Sequence, residues 1–272
     1  MMEVREFPQA APQVIDADVF DGHCRPNEIE RLLRAAGGVC YSTDADMLAR
    51  RFNSREVAVS QAALADMCLS TPTTVIVRQG SLLEQLSSAD RSSRWLALAV
   101  LCRLPPEEQQ AHLDVVLRRL QDNCAEVRWM ALEALDRMSC ISSHLTWIAA
   151  LIGDPEHSVQ QKAVDMLSEP AELDCCASSI GGFLNHERPD VRRTALKLLA
   201  RVQPDALVDL VPSIAKQLGE PDARARIAAL SLLQKLPYGT LSKNQAAILP
   251  SLDEGNRHCS LAEALSSEGC AA

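Results

Sequence analysis

An alanine recurs through this chain at a nearly fixed interval, and no other property narrows its fold as far. Ala63, Ala97, Ala131, Ala163, Ala195 and Ala229 are separated by 34, 34, 32, 32 and 34 residues. The next position is aliphatic each time: Leu64, Leu98, Leu132, Val164, Leu196 and Leu230. Four positions after each alanine stand Met67, Leu101, Leu135, Leu167, Leu199 and Leu233, and eleven before it Phe52, Leu86, Leu120, Ile152, Leu184 and Leu218. Self-similarity at this period marks a repeat architecture. One such unit has an apolar face but no core of its own, so it must stack on its copies.

Each unit reads as two helices. The first ends near the apolar residue before the turn, as in PEEQQAHLDVVLRRL (106–120) and PDALVDLVPSIAKQL (204–218). A turn rich in Asp and Pro follows (ADRSS, QDNCAE, GDPEH, HERPD, GEPDA), which suits a helix stop and the N-cap of the next helix. The second helix carries the alanine stripe, where a small side chain lets neighbouring helices approach. Composition agrees: 47% hydrophobic with only 3% aromatic favours helices over sheets.

The expected architecture is therefore all-α, a right-handed α-solenoid of six to seven stacked antiparallel helix pairs. Residues 1–26 are expected to be disordered and 27–252 to form the array, opened by a capping helix at 27–41. The repeats fall at about 42–70, 73–104, 105–140, 141–169, 171–202 and 204–236, with a partial one at 240–267. Residues 253–272 read as a degenerate cap and tail, which leaves open that the chain is a fragment of a longer array.

The tetratricopeptide and ankyrin signatures are absent. LVPSIAKQLGEPDARARIAALSLLQKL (210–236) instead closely resembles a HEAT repeat: a Pro within the first helix, a turn Asp, then an Arg before the Ala-Leu stripe. LNHERPDVRRTAL and LQDNCAEVRWMAL are similar, and the resemblance covers roughly residues 42–252. The units are shorter than the usual 40–47 residues and look more like the compact HEAT-like repeats of bilin-lyase-type proteins.

At about 100° per residue, three positional families separate. The residue three before the alanine lies about 60° from it, inside the apolar face, and reads Arg94, Arg128, Gln160, Arg192 and Arg226. An arginine there is expected to run along the seam between units and meet the turn acids Asp90, Asp154, Asp190 and Asp222. The resemblance implies the same structural ladder. Six after the alanine, at about 240°, comes a basic row of Arg103, Arg137, Arg201 and Lys235, interrupted by Glu169. It is either an ordinary solvated face or the wall of a groove for an acidic protein segment. Trp95 and Trp129 share the position two before the alanine. They read equally as fillers between helices or as a contact patch with Met130, Arg103, Arg137, Lys197 and Arg201.

Evidence for chemistry is close to nil. The six histidines share no metal-ligand spacing, and no P-loop, nucleophile elbow or Rossmann glycine pattern occurs. A di-iron hydroxylase of this repeat class uses repeated His-Glu pairs, whereas only His186-Glu187 occurs here. The net charge of -9 disfavours a nucleic-acid binder, including a HEAT-like DNA glycosylase. No apolar run is long enough for a signal peptide or membrane span, and the ten cysteines are scattered without a C-x-x-C. A soluble protein of the cytoplasm, or of the nucleus, is expected, without catalytic residues, cofactor or metal. Its expected role is a scaffold or adaptor that takes an extended or helical protein segment on the concave second-helix face. The alternatives are a bilin-lyase-type enzyme or chromophore binder and a nucleic-acid-binding protein.

Overall fold

The computed structural model describes residues 79–138 and 141–251. The expected 1–26 segment, the 27–41 capping helix, the first repeat with Ala63 and the 253–272 tail lie outside the described residues. Every described element is helical, as the alanine register requires.

The chain divides into two compact units, at residues 141 and 142. The first unit contains α1 (Gln79–Leu86), α2 (Arg91–Leu101), α3 (Pro106–Gln110), α4 (Leu113–Arg119) and α5 (Ala125–Arg137). Here α1 packs on α2, α4 on α5, and the second helices α2 and α5 on each other.

The second unit begins with α6 (Leu145–Ala150), α7 (His157–Met166), α8 (Pro170–Gly182) and α9 (Pro189–Leu199). It continues with α10 (Pro204–Leu207), α11 (Val211–Lys216) and α12 (Ala223–Gln234), then α13 (Tyr238–Lys243) and α14 (Gln245–Ile248). The pairs α6/α7, α8/α9 and α11/α12 stack within it, with α9 against α12.

The stripe read from sequence is the core of each unit. Ala97, Ala131, Ala163, Ala195 and Ala229 are all fully buried, as are Leu101, Leu135, Leu167, Leu199 and Leu233. The position after the alanine is less uniform, for Val164 and Leu230 are only half-buried. Close packing extends beyond the alanines. A Cβ on Gly181 of α8 would overlap the side chain of Leu210, and one on Gly153 would come within 2.6 Å of Phe183 Cε1.

First helices are less regular than the sequence pattern implies. The 106–120 stretch is two helices, parted at Ala111 and His112. The 204–218 stretch divides into α10, a 3-10 turn at Val208–Leu210 and α11. Pro212, in the first turn of α11, has no N–H to return to the carbonyl four residues back, so the helix restarts there. In the second unit the first helices close in tight turns at Leu151–Gly153, Phe183–Asn185, Gln217–Gly219 and Leu249–Ser251.

The turn acids do two kinds of capping. Asp90 accepts from the Ser93 N–H at 2.6 Å and Asp222 from the Arg224 N–H at 3.0 Å, each as the N-cap of the following helix. Asp122 and Asp154 stand two residues before the N-cap. Each accepts the N–H of the residue two ahead, Cys124 at 3.0 Å and Glu156 at 2.9 Å, in an Asx turn.

Candidate interaction surface

The arginines three before the stripe alanine close their own turns first. Arg94 donates to the carbonyls of Ser88 and Ala89, Arg128 to Asp122, Arg192 to His186 and Glu187, and Arg226 to Glu220 and Pro221. Gln160 keeps the role with a shorter side chain, donating to Ile152 at 2.7 Å.

Two of these arginines then reach forward to the next repeat. Arg94 grips Asp122 with Nε and Nη2, both at 2.8 Å, and Arg192 reaches Glu220 at 2.6 Å. The turn acids expected as their partners therefore need correcting. Arg94 bypasses Asp90, which caps α2, and Arg192 bypasses Asp190, which pairs with Arg188 at 2.6 Å. Arg226 bonds carbonyls of its own turn, while Asp222 caps α12 and lies 3.7 Å from Arg193. The reason is reach. A side chain leaving the first turn of a helix along the seam points toward the neighbouring repeat, while its own turn acid is engaged with backbone. Gln160 is too short for that span. At its joint Arg188 works in reverse, donating back to the Asp154 carbonyl at 2.8 Å.

Asp122 is buried, its side chain 3% exposed. Burial pushes its carboxyl up, but Arg94, the Cys124 N–H and Arg119 at 3.0 Å outweigh that and hold it below the ordinary carboxylate range. His112, buried between α3 and α4, is shifted by burial in the direction that favours its neutral form, and its Nε2 has no hydrogen-bond partner. Both groups have folded pKa values below their unfolded ones. Each therefore contributes stability that is present above the unfolded value and lost as pH falls. The His112 loss begins below its ordinary value of 6.5 and the Asp122 loss below 3.8. The thermal midpoint should fall between pH 7.5 and pH 5, and His112→Gln should flatten that limb. A slope unchanged by His112→Gln would show that another group sets it.

The basic row has a task that sequence reasoning missed. Arg137 Nη1 donates to the Cys102 carbonyl at 3.3 Å, Arg201 to the Ser168 carbonyl and Lys235 to the Ala200 carbonyl. Each acceptor stands five residues after its repeat's alanine, at or just past the end of a second helix, where unsatisfied carbonyls concentrate negative potential. The row thus fastens α5 to the end of α2, α9 to the end of α7 and α12 to the end of α9. A usable signal was present: a cation recurring in phase just past a helix end. Arg137 also pairs with Glu133 at 3.0 Å, and Arg103 is half-buried.

The tryptophans separate. Trp95 is 3% exposed and Met130 fully buried, so both fill the core. Trp129 is half-buried. The remaining patch candidates, Lys197 and Arg201, are exposed on the second unit. There the outer faces of the second helices are open: Gln161 and Asp165 on α7, Lys197 on α9, and Arg224, Ile227 and Ser231 on α12. In the first unit, by contrast, α2 is buried from Ser92 through Leu101.

Chemistry-bearing groups are sparse. No cluster of three His, Cys, Asp or Glu that could hold a metal occurs among the described residues. The vicinal thiols on α8 split, with Cys175 exposed and Cys176 buried, donating to the Glu172 carbonyl at 3.1 Å and raised to about 11 by burial. No described helix is long and apolar enough to cross a membrane.

Residues 81–168 match the family model for HEAT repeats. Among solved structures, a crystal structure of computationally designed armadillo repeat proteins for modular peptide recognition is similar. It has 15% identity and a TM-score of 0.43, with 71% of this chain and 100% of that one covered. A designed armadillo repeat protein in complex with the peptide (KR)4 shows 16% identity and a TM-score of 0.32, over 83% of this chain and 99% of that one. No curated protein matches the chain. Residues 81–168 thus match HEAT repeats, and stacked helix pairs with the same buried alanine register continue beyond them in the second unit.

Proposed function

We propose that this chain is a non-catalytic scaffold or adaptor that binds other proteins through the outer faces of its second helices. One observation carries the reading: on the second unit those faces remain exposed and charged after the internal joints are satisfied, with Lys197 at their centre. Lys197 has no acidic partner among the described residues, unlike Arg188 and Arg192 beside it. Stacked pairs fastened to each other suit recognition by a preformed surface, without ordering of the binding site itself.

The test is capture of partners by the full-length tagged chain, each then re-measured with purified components. At least one should bind saturably, and Lys197→Glu should weaken it several-fold. If no purified protein binds saturably, or if the chain turns over a bound molecule, the scaffold reading is wrong.

A further inference from the structure

The position two before the stripe alanine is Trp95 in α2, Trp129 in α5, Gln161 in α7, Arg193 in α9 and Ile227 in α12. Its environment changes along the chain. Trp95 is 3% exposed, whereas Ile227 is 64% exposed, more than any other large hydrophobic described. An aliphatic side chain that open contributes nothing to the core of α12.

Cations surround it. Lys197 is exposed on the outer face of α9, which packs on α12, and Arg224 is exposed one turn before Ile227 on the same helix. Arg193, one turn before Lys197 on α9, lies 3.7 Å from Asp222, the N-cap of α12. Arg224 is informative because it works against its own helix. A cation in the first turn meets the positive end of the helix dipole, which costs about 0.3–1 kcal/mol at an exposed site. The N-cap Asp222 is the acid at this helix start, and it bonds the Arg224 N–H, not the guanidinium. Arg226, in the same turn, is occupied with two carbonyls; the Arg224 side chain has no partner among the described residues, only its N–H being used.

The basic area is also bounded. On α7, the preceding second helix, the outer positions are Gln161 and Asp165, with Glu169 following as the N-cap of α8, all exposed. Adjacent helices lie about 8–10 Å apart, and an extended segment advances about 3.3 Å per residue. Crossing α9 and α12 therefore takes about six residues. A nucleic-acid strand would continue past that length into the acidic border, on a chain of net charge -9.

We infer that the outer face of α9 and α12 docks a short acidic protein segment, whose carboxylates meet Lys197, Arg193 and Arg224 and whose single aliphatic side chain covers Ile227. This rests on the scaffold reading and names its partner's chemistry. The aliphatic contact excludes water and the charges set orientation and encounter rate, so binding should weaken with salt.

The experiment is fluorescence anisotropy with the full chain and a labelled acidic peptide of Glu and Asp carrying one central leucine. Controls are the same peptide with alanine for leucine, and a single-stranded DNA of matched charge. The leucine peptide should bind and the alanine peptide more weakly. The double variant Lys197→Glu/Arg224→Glu should lower affinity at least about tenfold, the scale expected of close charge pairs. Ile227→Asp should remove the preference for leucine. Arg224→Glu relieves the helix dipole, so thermal melts of the charge-reversed protein should show no loss of fold. DNA binding as tight as the peptide's would assign the face to phosphate and overturn the inference. Peptide binding that is absent, or indifferent to these substitutions, would also overturn it. If purified protein partners still bind in that case, the scaffold reading stands and only the acidic-segment assignment falls.

Discussion

Arg94→Ala should lower the unfolding free energy by about 3–5 kcal/mol, the usual loss when one member of a buried ion pair is removed. Asp122 makes the effect large. Its side chain is 3% exposed and Arg94's 7%, so neither is well placed to recover solvation in water. The guanidinium supplies two of the bonds to this carboxylate and also bonds Ser88, Ala89 and Asn123, so its loss loosens a turn and a joint together. Arg94→Lys should cost less than alanine but more than nothing, because a single ammonium cannot reproduce the fork. Urea unfolding with an unchanged slope and a lower midpoint is the expected record. The penalty should also shrink in acid, where protonated Asp122 no longer needs a cation. A loss below about 1 kcal/mol, typical of a surface pair, would mean that Arg119 and the Cys124 N–H suffice alone.

Trp95→Ala should cost a similar amount, about 3–5 kcal/mol, through the cavity left by a large buried ring. The residue is 3% exposed within a helix whose neighbours from Ser92 to Leu101 are also buried. Trp129→Ala, at the equivalent but half-buried position, should cost distinctly less. Thermal or urea melts of the two variants side by side give the comparison. Equal losses would show that exposure does not set the difference. The practical reading is that a binding defect in Trp95→Ala reports lost fold, whereas Lys197→Glu reports the surface.

Much of this fold was legible because a repeat states its rule several times. The alanine at one position and the aliphatic four later are buried wherever described, since both follow from the phase of a single helix. The joints were harder to read. Counting degrees around α9 places Arg201 on the outer side, where it is indeed exposed, yet its long side chain bends back to a carbonyl 33 residues earlier. Helix phase gives a direction and carries no information about which backbone atom waits there. The ladder partners went wrong for the same reason: the turn acids expected to meet the arginines did not include Asp122, whose carboxylate Arg94 grips. Trp95 and Trp129 show the remaining limit. They share a register position and differ in burial, because burial depends on what packs above a helix and not on where a residue sits around it.

The two sets of fastenings lie at opposite ends of the second helices. Between α9 and α12, Arg192 ties the starts through Glu220 while Lys235 ties the ends through Ala200. Two rods pinned at one point can scissor; pinned at both ends they keep one angle. The spacing of Lys197, Arg224 and Ile227 is then a fixed ruler rather than a fluctuating average. A partner that fits it forfeits little entropy from this protein on arrival, so the tightness of binding is governed by the partner's own flexibility.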